Sequence, residues 1–165
     1  MKSLLSILVI AMIFSSCSSN KKRDYNKEKS NEAVVRKFLN EVVTGGKLEL
    51  LDELWTQDML WSDGTTTIRG LENFRKVLGA VKEKTFENMQ LNIRDVVTSK
   101  NKVVVRFTNS GKLVGTYRGH KPTFKKAEWI GIGIYRLEGG KIAEAWFAED
   151  YLSQLLQLGI VKLRK

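Results

Sequence analysis

The stretch AEAWFAEDYLSQLLQLG, residues 143–159, sets one carboxylate, Asp150, where a strand-like run gives way to a short helical one. Two kinds of chemistry are open to it. Beside Trp146 and Phe147 a carboxylate loses solvation, its pKa rises, and it becomes a better general base. Directly ahead of YLSQLLQLG, the same side chain can accept a backbone N–H as a helix N-cap, which favours the ionised form and makes a poor base. Read as a strand without a bulge, the segment puts Ile142, Glu144, Trp146, Ala148 and Asp150 on one face. That face is mostly apolar, bears a tryptophan and ends in an acid. In the preceding strand-like run, Gly131 and Gly133 alternate with Ile130, Ile132 and Ile134. Missing side chains on one face leave room for a ligand, or let another group approach closely.

Several other chemistries are set aside. One histidine, His120, and one cysteine, Cys17, cannot build a zinc site of the usual kind, so no metal is expected. No nucleophile-elbow, phosphate-loop or dinucleotide pattern occurs, and no cofactor is expected. Gly139-Gly140 reads as a hairpin turn.

The elements that must position these residues fall into two halves. In SNEAVVRKFLNEVVTGG, apolar pairs at Val34/Val35, Phe38/Leu39 and Val42/Val43 form one helical stripe. Ser30 or Asn31 is the expected cap, and Gly45-Gly46 the stop. A shorter helix follows in KLELLDELW, then a strand or hairpin in MLWSDGTTTIRG. A third helix carries Leu71, Phe74, Val77, Leu78 and Val81 on one side. From Met89 the period changes to two, with turns expected at SKNK (99–102) and EGGK (138–141). Helices first and antiparallel strands afterwards indicate an α+β domain, closed by a short C-terminal helix.

The N-terminus reads as a targeting signal. MKSLLSILVIAMIFSSC has one lysine, an apolar run too short to span a bilayer, and small residues before Cys17. Its end resembles a bacterial lipobox, which implies lipidation of Cys17 and stable membrane anchoring through more than one acyl chain. The expected organisation is a signal peptide over 1–16, a lipidated disordered tether over 17–29, and one domain over 30–165. An exported chain of net charge +10 is not expected to bind nucleic acid. Its KKR (21–23) and KLRK (162–165) clusters instead suit anionic headgroups, or simply a solvated surface.

The order of elements and five short words resemble the SnoaL-like polyketide cyclase (ester cyclase) family, of the nuclear-transport-factor-2-like folds. The words are Val103–Thr108, Gly115–Thr123, Gly131–Leu137, Gly139–Ile142, and Glu144–Trp146 followed by Asp150. The resemblance implies a cone-shaped, strongly curved, mostly antiparallel sheet wrapped around N-terminal helices. It also implies a homodimer through the outer sheet face, and a cofactor-independent aldol-type cyclisation or isomerisation of a small apolar carbonyl compound. In that chemistry Asp150 is the expected acid/base, with Asp63 or Glu144 supporting. Asp63, in LWSDG, also reads as a turn residue, the commoner use of an aspartate in such a sequence. Trp61, Tyr117, Trp129, Tyr135 and Trp146 are the expected pocket walls. Two departures stand out: Ala145 occupies the place of the family's histidine, and Phe124 that of a loop glycine. The alternative reading is a non-catalytic ligand-binding or assembly domain held at the cell envelope.

Overall fold

The computed structural model describes residues 22–163, so Cys17 and the expected signal peptide lie outside the described residues. Helix α1 spans 22–37 and runs on as a π-helical turn, Phe38–Thr44. A 3-10 turn at Leu48–Leu50 leads into α2, Leu51–Leu54. The hairpin β1 (Trp55–Ser62) and β2 (Thr67–Arg69) follows, then α3 (Leu71–Lys84). Four longer strands complete the sheet: β3 (Phe86–Ser99), β4 (Lys102–Leu113), β5 (Lys126–Glu138) and β6 (Lys141–Glu149). Helix α4, Tyr151–Gln157, follows β6. The six strands run in the order β2-β1-β6-β5-β4-β3. All neighbours are antiparallel except β1 and β6, which are parallel. The α+β class expected from the sequence is the class observed.

The first helix begins at residue 22, eight residues ahead of the expected start at Ser30, so residues 22–29 are helical and not a disordered tether. The residues there are mostly Lys, Arg and Glu, good helix formers, with no glycine or proline to stop them. The β3–β4 turn also holds the helix: Lys100 N–H donates to the Glu28 carboxylate (2.7 Å), and Asn31 Nδ2 donates to the Lys100 carbonyl (3.0 Å). Asn31 is therefore a buried tie to the sheet, not a helix cap.

The main core lies between α1–α3 and the inner sheet face, around Phe38, Trp55, Phe74, Phe107 and Tyr135. A second cluster, Phe86, Leu113, Ala127, Trp129 and Leu158, closes the other end under α4.

The feature that decides the site is a β-bulge in β6. From the Gly139–Gly140 turn the pairing starts as Glu138↔Lys141 and Leu137↔Ile142, then skips Ala143 to resume as Arg136↔Glu144. A one-residue slip sends every later side chain to the other face. Ala145, Phe147 and Glu149 therefore point inward, opposite Tyr135, Gly133 and Gly131. Glu144, Trp146 and Ala148 point outward. The expected unbulged face is thus reversed from Glu144 onward. Without the bulge, Glu144 would stand opposite the fully buried Tyr135. With it, Glu144 meets the Arg136 guanidinium at 2.7 Å on the outer face, avoiding a buried unpaired charge.

Candidate functional site

The inner face encloses a cavity of about 220 Å³, bordered by both core clusters. One side is apolar: Phe38 and Leu39 from the π-helical turn, Phe74, Val77, Leu78 and Val81 from α3, and Phe107 from β4. This explains why Val77, on the stripe expected to be core, is 45% exposed: its neighbour is a hollow. Trp61 forms another wall, between Phe74 and Phe147 at ring-centroid distances of 6.4 and 5.5 Å.

Polar groups gather at one end, where Asp63, Asn109, Tyr117, Arg118, Glu149, Tyr151 and Gln154 line the cavity. Glu149 closes β6 and packs over Gly131, where a Cβ would stand 2.9 Å from its Cγ and 2.5 Å from the Phe107 ring. The missing side chain of Gly131 is thus what lets a carboxylate lie on the inner wall. Trp129 Nε1 and Asn109 Nδ2 (3.1 Å) both donate to Glu149 Oε2, while Oε1 accepts no hydrogen bond among the described residues. Burial pushes the Glu149 carboxyl up, with a smaller push from Asp63; the Trp129 and Asn109 donors and Arg118 offset it only in part.

Asp63 has the opposite character. Burial would raise its pKa, but hydrogen bonds from the Thr65 hydroxyl (2.8 Å), Thr66 N–H (2.7 Å), Thr65 N–H (3.0 Å) and Tyr151 hydroxyl (3.1 Å) outweigh it and hold Asp63 below its usual value. The turn and site readings of Asp63 are therefore both satisfied: Oδ1 builds the turn, and Oδ2 faces Tyr151 and Arg118. Arg118 lies 4.3 Å from the Tyr151 ring centroid and 5.6 Å from that of Tyr117. Its Nε donates to the Tyr117 hydroxyl (3.2 Å), and its Nη2 stands 3.5 Å from Asp63. Burial, with Glu149 and Asp63 nearby, pushes the Tyr151 hydroxyl up, so it remains a neutral donor. The buried Gln154 accepts from the Tyr117 hydroxyl at 3.0 Å. One acid inclined to hold its proton thus shares a cavity with one inclined to lose it, an arrangement suited to acid/base chemistry.

Four expected site residues lie elsewhere. Asp150 is exposed and caps α4, its Oδ1 accepting the Ser153 N–H at 2.9 Å; it does not line the cavity. Glu144 is on the outer face, its pKa lowered by the hydrogen bond from Arg136. Trp146 is also on the outer face, paired with Ile134. Tyr135 is fully buried core behind Phe147, 5.6 Å away edge-on, and does not line the cavity. Asp63, Trp61, Tyr117 and Trp129 do line it. Sequence reasoning missed Glu149, Asn109, Arg118, Tyr151 and Gln154. Among the described residues no group of three or more His, Cys, Asp or Glu side chains could hold a metal ion.

A search of curated protein sequences finds no match. The structure is similar to that of TsrD from Streptomyces laurentii, at 26% identity and a TM-score of 0.73 over 81% of this chain and 97% of that one. It is also similar to wild-type IdmH, a candidate polyketide cyclase from Streptomyces antibioticus (25% identity, TM-score 0.68, 78% and 98% covered). An LEH-like epoxide hydrolase of M. tuberculosis shares the fold alone (14% identity, TM-score 0.67, 81% and 92% covered). Residues 33–158 match the sequence model of SnoaL-like polyketide cyclases, which supports a cyclase- or isomerase-type function. With its helices packed inside a curved sheet and its cavity walled by both, the chain belongs to the SnoaL-like polyketide cyclase family and has the nuclear-transport-factor-2-like fold.

Proposed function

We propose that the domain acts on a small apolar carbonyl compound by cofactor-independent acid/base chemistry, with Glu149 in the role the sequence suggested for Asp150. The observation that carries this reading is the Glu149 carboxylate at the polar end of an apolar cavity, anchored through one oxygen and unpartnered at the other. The ionised carboxylate takes a proton from the carbon beside a carbonyl, and the C–H electron pair moves onto the carbonyl oxygen. The Arg118 guanidinium, with N–H groups left over from its contacts to Tyr117 and Asp63, is the donor available to the resulting enolate oxygen. The enolate carbon then adds to a second carbonyl of the same molecule, whose oxygen takes the proton back from Glu149, or the enolate is reprotonated at a new position by Glu149. Asp63 stays ionised and holds Arg118 and Tyr151 in place.

The test is hydrogen–deuterium exchange at the acidic carbon of a β-keto ester panel, with Glu149→Gln beside the parent. Exchange in the parent that Glu149→Gln abolishes supports the assignment; equal exchange in both removes Glu149 from the mechanism. The second reading, a non-catalytic binding domain, is favoured by Ala145, which leaves β6 without a titratable side chain at that inward position. A small molecule retained in native mass spectra, with no exchange on any substrate, would establish it.

The same reading places the chain in a bacterial cell envelope, anchored through Cys17, and makes it a homodimer through the outer sheet face. Val97, Val104, Ile134 and Trp146 form one apolar row across four strands of that face. Ile130 and Ile132 extend it, at 62% and 46% exposure. Exposed apolar groups in such a row mark an interaction surface. Sedimentation should show a dimer that Ile134→Lys dissociates; a monomeric parent would rule the interface out.

A further inference from the structure

The connection between β4 and β5, residues 114–125, has features that neither the cavity nor the fold explains. Its first half turns back on itself: Tyr117 and His120 exchange backbone hydrogen bonds of 3.0 and 2.9 Å, with Arg118 and Gly119 at φ 47° and 80°. That turn holds Arg118 at the cavity. Its second half presents Phe124, 63% exposed. Phe124 also has φ 58°, a conformation that favours glycine over any residue with a Cβ. Neither burial nor backbone ease accounts for an aromatic ring there.

The charge around the ring points to its partner. His120, Lys121, Lys125 and Lys126 are all exposed, and none of them forms an ion pair among the described residues. The Lys125 amine lies over Gly159, 2.6 Å from where a Cβ would stand, which joins the loop to a C-terminal segment exposing Lys162 and Leu163. A single exposed ring on a loop that also carries three unpaired lysines gives a protein partner little apolar area to close over. A bilayer needs no such complementarity: the ring enters the boundary between headgroups and acyl chains while the amines stay level with the phosphates.

We infer that this loop docks on an anionic lipid surface, with Phe124 inserted and Lys121, Lys125 and Lys126 meeting the phosphates. The same loop carries Tyr117 and Arg118 at the polar end of the cavity, and docking holds whether the cavity catalyses a reaction or only binds.

The experiment uses the full chain in vesicles that carry a lipid with a photoreactive acyl chain, with labelled positions read by mass spectrometry. Vesicles of phosphatidylglycerol and phosphatidylcholine are compared with phosphatidylcholine alone. The apolar run at residues 4–14, retained because the uncleaved chain is used, serves as an internal reference for insertion that does not depend on the loop. In the anionic vesicles, labelling is expected at and beside Phe124. Lys121→Gln, Lys125→Gln and Lys126→Gln should each lower it about fivefold while the reference labelling stays constant. Phe124→Gly, which suits the backbone better, should fold at least as well and still lose loop labelling. Labels confined to the N-terminal run, equal loop labelling in neutral vesicles, or indifference to the lysine changes would each overturn the inference.

Discussion

Glu149 and Asp150 are neighbours in the chain and lie in opposite environments. Glu149 is the last residue of β6, inside the sheet, held by an indole and an amide at the end of an apolar hollow. Asp150 faces water and holds the first turn of α4. Burial pushes the first carboxyl toward its neutral form. The second spends its hydrogen-bonding capacity on a helix end. What separates them is the bulge at Ala143, six residues upstream, which decides which of two adjacent acids is turned inward. Their chemistry is therefore set by strand register more than by residue type.

The largest effect should come from Glu149→Gln. Loss of a positioned general base costs about 100- to 10,000-fold in rate, measured by carbon-acid exchange or ring closure. The amide retains an acceptor for Trp129, so the fold should survive. The parent's pH profile should rise through a pKa above that of an ordinary glutamate, because Glu149 acts only when ionised. Stability carries the complementary signature. The folded state holds this proton more tightly than the unfolded chain does, so the contribution is greatest below the unfolded pKa and is lost as pH rises through the folded one. Asp63 works in reverse: its contribution is present above its unfolded pKa and is lost as pH falls through the lowered folded value. Thermal melts of Glu149→Gln should therefore lose the decline that sets in as pH rises through the raised Glu149 pKa and keep the one that Asp63 causes as pH falls.

Gly131→Ala sharpens the comparison from the neighbouring strand. A methyl there would stand 2.5 Å from the Phe107 ring and 2.9 Å from Glu149 Cγ, so side chains of the inner wall would have to shift to admit it. Overpacking of this kind costs about 1–3 kcal/mol, read from the denaturant midpoint, and should also displace Glu149 and slow turnover. Ile132→Ala, on the other face of the same strand and 46% exposed, should cost well under half as much in dilute monomer. If the two substitutions cost the same, the inner and outer faces have been misassigned.

How much of this could be read from the sequence follows the same division. The switch from helical to alternating periodicity near Met89 was clear enough to give the α+β class, because burial imposes it on whole elements. The helical residues 22–29 carry no apolar stripe, and their anchor, Lys100, lies 72 residues from Glu28. Local reading had nothing to detect there. The walls Trp61, Tyr117 and Trp129 could be named because large aromatics cluster around a hollow. Trp146 and Tyr135 belong to the same residue class and are not walls, since the outer face and the deep core also use aromatics. The bulge was the decisive omission, and one signal for it exists. Gly131 and Gly133 need bulky partners across the strand. Glu149 fills that need at Gly131, where the unbulged partner would be the small Ala148, and without the bulge Glu144 would face the core opposite Tyr135. Asn109, Arg118, Tyr151 and Gln154 come from a strand, a loop and a helix, and only the closed fold brings them together.

Asp150 supplies the finest test, because cap and base make different demands on the same side chain. Asp150→Ala removes the acceptor for Ser153 N–H and should cost about 1 kcal/mol of stability, since an N-cap acid replaced by alanine typically does. Asp150→Asn keeps an oxygen in the same place and caps nearly as well, so stability should change by no more than a few tenths of a kcal/mol. An amide cannot act as a base, however, and the two roles part company in this variant. With Glu149 as the base, Asp150→Asn should leave turnover within about twofold of the parent. A drop of a hundredfold in a variant that melts like the parent would return the catalytic role to Asp150, and would require α4 to unwind or turn during the reaction to carry that carboxylate inward.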